Sequence, residues 1–205
     1  MDADTFLDDL RAAHRTELSR LGSSKAVYAL TGGEMAGDAV RTGTARELHA
    51  LAPVLNEWAE QAGGETADLF AAGAEFAATY ADNFDSEVGT PESVTPVVAD
   101  SLAAADPGNR TAAMAAAFLV LEEIAGQLVG FFVGDADRKS ADEFREFRAE
   151  LGDYRDDAAD LLADSLEDEA DWETAAGVGE AVIEGAYDWY VETLESMGVE
   201  PKNVC

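Results

Sequence analysis

The side chains able to do chemistry in this chain are its carboxylates and two histidines, His14 and His49. Four glutamates stand out by spacing: Glu47 and Glu75 are separated by the same interval as Glu122 and Glu150, and each lies in a different predicted helix. Carboxylates projecting inward from four facing helices can hold two metal ions, with one Glu on each of two helices and a Glu-x-x-His on each of the others. A spacing of three places carboxylate and imidazole on one helix face, one turn apart. Here the position three after Glu75 is Ala78, and the position three after Glu150 is Asp153, so neither supplies an imidazole. His49 lies two residues from Glu47, a spacing that does not share a helix face. The candidate metal ligands are therefore Glu47, Glu75, Glu122 and Glu150, an oxygen-only set that favours hard ions such as Mn²⁺ or Mg²⁺ over a His-anchored iron pair. No catalytic residue is assigned.

Other chemistry has little foothold. There is no Gly-x-Ser-x-Gly, P-loop or dinucleotide fingerprint, and the pair Gly32-Gly33 does not follow a strand. Cys205 is the only cysteine, so an intramolecular disulfide and a cysteine-based zinc site are both excluded, and its thiol is read as a terminal group without a role. Tyr80, Tyr154, Tyr187, Trp189 and Tyr190 sit at helical spacings that read as core packing, not as a redox relay.

The medium in which such a chain folds is written in its charge. It carries 43 Asp and Glu against 13 Lys and Arg, a formal net charge of -30 in 205 residues. A chain of this kind repels itself in dilute buffer and is relieved once salt shortens the screening length to roughly 3 Å at about 1 M. The expectation is a cytoplasmic protein of a salt-accumulating halophile. The same charge argues against nucleic acid or an anionic membrane as partner, since phosphate binding needs clustered Lys and Arg. With 47% apolar residues the chain has enough material for one core. Its first residues lack a basic and an apolar signal region, and the longest apolar stretch, 112–133, is interrupted by Glu122, Glu123 and Gln127.

Ala, Leu, Glu and Asp dominate and few windows alternate with period two, which predicts an all-α protein. Helices are expected over 4–21, over 25–40 with a break at Gly32-Gly33 and Gly37, over 44–61 with a kink at Pro53, and over 65–84. A short helix from Pro91 to Ala105, an apolar central helix over 111–133, one over 140–166 opened by a Ser140/Glu143 capping box, and one over 171–197 complete the set. The chain reads as a single helical domain, residues 1–205, with 44–166 as bundle core and 1–43 and 167–205 as flanking helices.

The run Trp58-Ala59-Glu60-Gln61-Ala62-Gly63-Gly64-Glu65-Thr66-Ala67-Asp68-Leu69-Phe70, then Ala74-Glu75, and the closing Tyr80-Ala81-Asp82-Asn83-Phe84 resemble the first helix pair of rubrerythrins in the ferritin-like superfamily. The resemblance covers about 40 residues closely and about 120 if 112–162 is the second pair. It implies a ferritin-like four-helix bundle and, in the family, peroxide reduction at a di-iron centre. With the closing Phe aligned on Phe84, the family's Glu and His ligands fall on Ala77 and Tyr80; aligned on Glu75, the His falls on Ala78. The four-cysteine rubredoxin-like module has no counterpart. The resemblance thus implies a relative whose metal site is lost or reduced to carboxylates. The alternative is a non-enzymatic bundle acting through a protein partner or self-association, with the aromatic-rich helix from Trp172 to Leu194 as the contact, in a homodimer for example. A haem-oxygenase-like helical scaffold is a third reading.

Overall fold

The computed structural model describes residues 2–84 and 95–201; among these are nine α-helices, one short 3-10 turn at Pro107–Asn109, and no strand. The helices are α1 (Ala3–Ala13), α2 (Arg15–Leu21), α3 (Ser24–Leu30), α4 (Gly37–Gln61), α5 (Gly64–Phe84), α6 (Ala99–Ala103), α7 (Arg110–Gly134), α8 (Arg138–Ser165) and α9 (Glu169–Ser196). Pro91 and Cys205 lie outside the described residues.

Local sequence explains most of these boundaries. Asp2 caps α1 by accepting the Thr5 N–H at 2.8 Å, and Asp168 caps α9 by accepting the N–H groups of Ala170 and Asp171 at 3.0 Å each. Gly32 and Gly33, at φ 62° and 92°, make the left-handed turn that separates α3 from α4. Helix α4 runs unbroken through Pro53.

Two expected features differ. The first helix is divided at His14, whose φ of -107° ends α1 while its carbonyl still accepts the Leu18 N–H. Phe6, Leu7 and Leu10 before the break and Leu18 and Leu21 after it are all buried. Ser140 is also not the cap of α8. Asp137 is, accepting the Ser140 N–H at 3.1 Å, while Glu143 is drawn away to Arg41. The carboxylate three residues upstream is the stronger acceptor, so the cap moves to it.

Five long helices, α4, α5, α7, α8 and α9, make up most of the fold, and the relative directions of the first four follow from which ends meet. Helices α4 and α5 pair as one hairpin and α7 and α8 as another. At one end Arg110, at the start of α7, lies over the Trp58 ring near the end of α4. At the other, the space beside Gly37 at the start of α4 is filled by Phe132 near the end of α7. Phe84, the last residue of α5, stacks on Phe144 in the second turn of α8 at 4.4 Å, and Phe76 stacks on Phe147 at 5.7 Å. Each of the pairs α4–α5, α5–α8, α8–α7 and α7–α4 is therefore antiparallel, with one long connection carrying α6 between the two hairpins. Helices α1, α2, α3 and α9 wrap the α7–α8 side.

Helix α7 lies at the middle of this packing. It touches α2, α3, α4, α6, α8 and α9, and every residue from Ala112 to Leu121 is buried. A residue as large as Phe118, fully buried there, contributes about 1.5–3 kcal/mol from transfer alone. The span 107–134 has the length and hydropathy of a membrane-crossing segment, yet 56% of its most apolar window is buried against the other helices.

Candidate functional site

The four glutamates singled out by spacing are placed in four different environments. Glu47 is buried, on the inward stripe of α4 that also carries Val40, Thr44, Leu48, Leu51, Leu55 and Trp58. Its Oε2 accepts the Val97 N–H at 2.6 Å and its Oε1 accepts the Val98 N–H at 3.0 Å. These are backbone donors at the entry of α6, where a helix start leaves N–H groups without intrahelical partners. A carboxylate taken out of water resists ionisation. Burial accordingly pushes the Glu47 carboxyl up to about 7, against the pull of the two N–H donors and Arg46, with Asp100 adding to the rise.

Glu122, on α7, is half-buried and faces α8. It takes an ion pair from Arg155 and a second, at 3.7 Å, from Arg148. Arg148 and Arg155 are seven residues apart, two turns along one face of α8. Glu150 is exposed and accepts the Tyr80 hydroxyl at 2.6 Å. Burial and the negative charge of Glu150 both push the Tyr80 phenol upward. Glu75 is exposed, although it stands between buried Ala74 and Phe76 on α5.

The expected convergence of Glu47, Glu75, Glu122 and Glu150 is therefore not found: among the described residues no three His, Cys, Asp or Glu side chains come together to hold a metal ion. The donor set also fits an ion poorly, since backbone amides, two arginines and a phenol already occupy the lone pairs of three of the four carboxylates. His49 is exposed and His14 half-buried, and neither joins a cluster.

What fills the space between α5, α7 and α8 is aromatic. Phe76 lies 6.0 Å from Phe118, 5.0 Å from Tyr154 and 5.7 Å from Phe147, ring centre to ring centre. Tyr80, Phe84, Phe132 and Phe144 extend the same cluster. Offset and edge-on pairs of this kind add about 0.5–1.5 kcal/mol each beyond their burial. Arg41 of α4 closes one end. Its guanidinium lies 5.7 Å over Phe84, donates to Ser140 at 3.0 Å and pairs with Glu143.

Two of these roles escaped the reading by motif. Glu47 interrupts an otherwise apolar seam, a pattern that marks a buried carboxylate needing partners. Arg41 carries no such signal, because Phe84, Ser140 and Glu143 are distant in sequence. On α9, Trp172, Val182, Ile183, Ala186, Trp189, Tyr190 and Leu194 are all buried in the chain's own core, while Glu173, Glu180, Glu184, Asp188, Glu192 and Glu195 are exposed. Of its aromatic residues, Trp172, Trp189 and Tyr190 are buried and Tyr187 is half-buried. Compared with protein-family models, with curated proteins and with solved structures, the chain matches none.

Proposed function

We propose that the protein is a ferritin-like bundle of the rubrerythrin type whose metal site has given way to an aromatic core, serving as a non-catalytic cytoplasmic protein in a salt-rich cell. The scaffold part rests on helix order: two antiparallel hairpins, joined by one long crossover and set antiparallel to each other, have the connectivity of ferritin-like folds. The observation that carries the loss of chemistry is the inward face of α5. Where the rubrerythrin pattern aligned on Phe84 puts its Glu and His, this chain has Ala77, fully buried, and Tyr80, turned toward α8 and bonded to Glu150. Glu47 is committed to backbone amides and Glu122 to arginines instead of an ion.

The reading is tested by incubating the purified protein with Fe²⁺ or Mn²⁺ in molar salt under anaerobic conditions, desalting it, and measuring retained metal and Tm. Retention far below one ion per chain and an unchanged Tm are expected. One to two ions held per chain, released by Glu122→Gln or Glu150→Gln, would overturn it.

A further inference from the structure

A groove of about 550 Å³ runs between the end of α1, the start of α2 and the middle of α7, lined by Asp8, Arg11, Arg15, Leu18, Ser19 and Glu123 among others. Its size falls within the range of about 300–1,000 Å³ typical of small-ligand sites. Two of its charges are uncommitted. Arg15 makes no ion pair or hydrogen bond among the described residues, in a chain with 43 acidic side chains to choose from. Glu123 is half-buried and likewise has no hydrogen-bond or ion-pair partner among them. The remaining pair, Arg11 with Asp8, is exposed and long at 3.5 Å, a contact that water or a ligand readily replaces.

The glycine at the end of α2 keeps the wall open. A Cβ on Gly22 would sit 3.5 Å from the Glu123 Oε2 and cover it. Burial and the neighbouring Glu122 raise the Glu123 carboxyl above the usual carboxylate range, while Arg148, Arg11 and Arg155 oppose the rise. A cationic group placed against Glu123 would offset that cost by direct attraction.

We propose that this groove binds a small zwitterion of the free amino acid or dipeptide class, its carboxylate on Arg15 and its ammonium on Glu123, the two groups without a direct partner among the described residues. A purely anionic ligand meets Asp8 and Glu123, and a purely cationic one meets the two arginines, so a ligand carrying both charges is the better match to this lining. The inference is independent of the fate of the metal site.

The test uses glycylglycine as probe, with acetate and methylammonium as single-charge controls, followed by amide chemical shifts of the full chain in about 1 M KCl. There, screening within a few ångströms leaves only direct contacts. Saturable shifts at the groove residues are expected with glycylglycine, at least about fivefold tighter than with either control. Arg15→Gln and Glu123→Gln should each weaken binding by about fivefold, the scale of one exposed charge contact. Circular dichroism confirms that both variants stay folded. Absence of saturable shifts, equal response to acetate, or binding indifferent to both substitutions would each overturn the proposal.

Discussion

Glu47 on α4 accepts the N–H of Val97 at 2.6 Å, fastening the crossover that enters α6 to the central bundle through one buried carboxylate. Val97 and Val98 are themselves buried, at 3% and 0% exposure, so bulk water does not reach these donors if the acceptor is lost. Glu47→Ala should therefore destabilise the fold by about 3 kcal/mol or more, from two stranded N–H donors and a small cavity. Glu47→Gln keeps one acceptor oxygen but turns an NH₂ toward the other donor, and should cost about 1–2 kcal/mol near pH 6. Urea melts in molar salt measure both; equal stability of all three proteins would refute the role.

The same residue gives stability a pH dependence. The folded carboxyl titrates near 7 and the unfolded one near 4.5, so between those values the folded state holds a proton the unfolded state has released. Stability from this group is thus fully present below about pH 4.5, falls as pH rises through about 7, and is flat above. The whole change is about 3 kcal/mol, at about 1.4 kcal/mol per pH unit. In Glu47→Gln the part of the slope owed to this group should be lost, and its deficit against the parent should shrink as pH rises.

Two glycines in long helices should respond oppositely to alanine. A Cβ at Gly43 would meet the Leu30 backbone carbonyl oxygen at 2.7 Å and the Leu30 Cγ at 3.0 Å, so α3 would have to shift. Gly43→Ala should cost about 2 kcal/mol or more. At Gly177, in α9, a Cβ meets nothing within 4 Å. Gly177→Ala should stabilise by up to about 1 kcal/mol through helix propensity. Thermal melts of the two variants decide the matter.

With a formal net charge of -30, the native state should gain from added salt. Raising KCl from about 0.1 M to 2 M is expected to lift Tm by on the order of 10 °C as repulsion between exposed carboxylates is screened. A Tm that is flat or falls with KCl would remove the basis for placing the protein in a salt-rich cell.

Much of the architecture was legible because it is local. Stripes such as Leu48, Leu51, Leu55 and Trp58, and stops such as Gly32-Gly33 and Gly63-Gly64, report helix positions through period and backbone freedom alone. The break at His14 was not legible, because the 4–21 pattern is helical throughout and nothing in its spacing marks the residue at which the first helix ends. The cap of α8 was misread for a related reason: Ser140 and Glu143 have the right spacing, but Arg41, distant in sequence, competes for Glu143.

The candidate site shows the same division more sharply. Equal spacing of Glu47, Glu75, Glu122 and Glu150 says which helix bears each carboxylate, and says nothing about its direction around the axis relative to a neighbour. By itself the sequence determined an all-helical chain, an acidic surface, an apolar central helix, and the lack of an imidazole at the positions a di-iron centre requires. Only the tertiary structure decided that Glu47 points inward to backbone amides, that Glu122 meets Arg155, that Glu75 faces water, and that aromatic rings fill the space between the hairpins. Composition and periodicity act within one helix, whereas the partner of a buried charge is set by the rotation and height at which two helices dock.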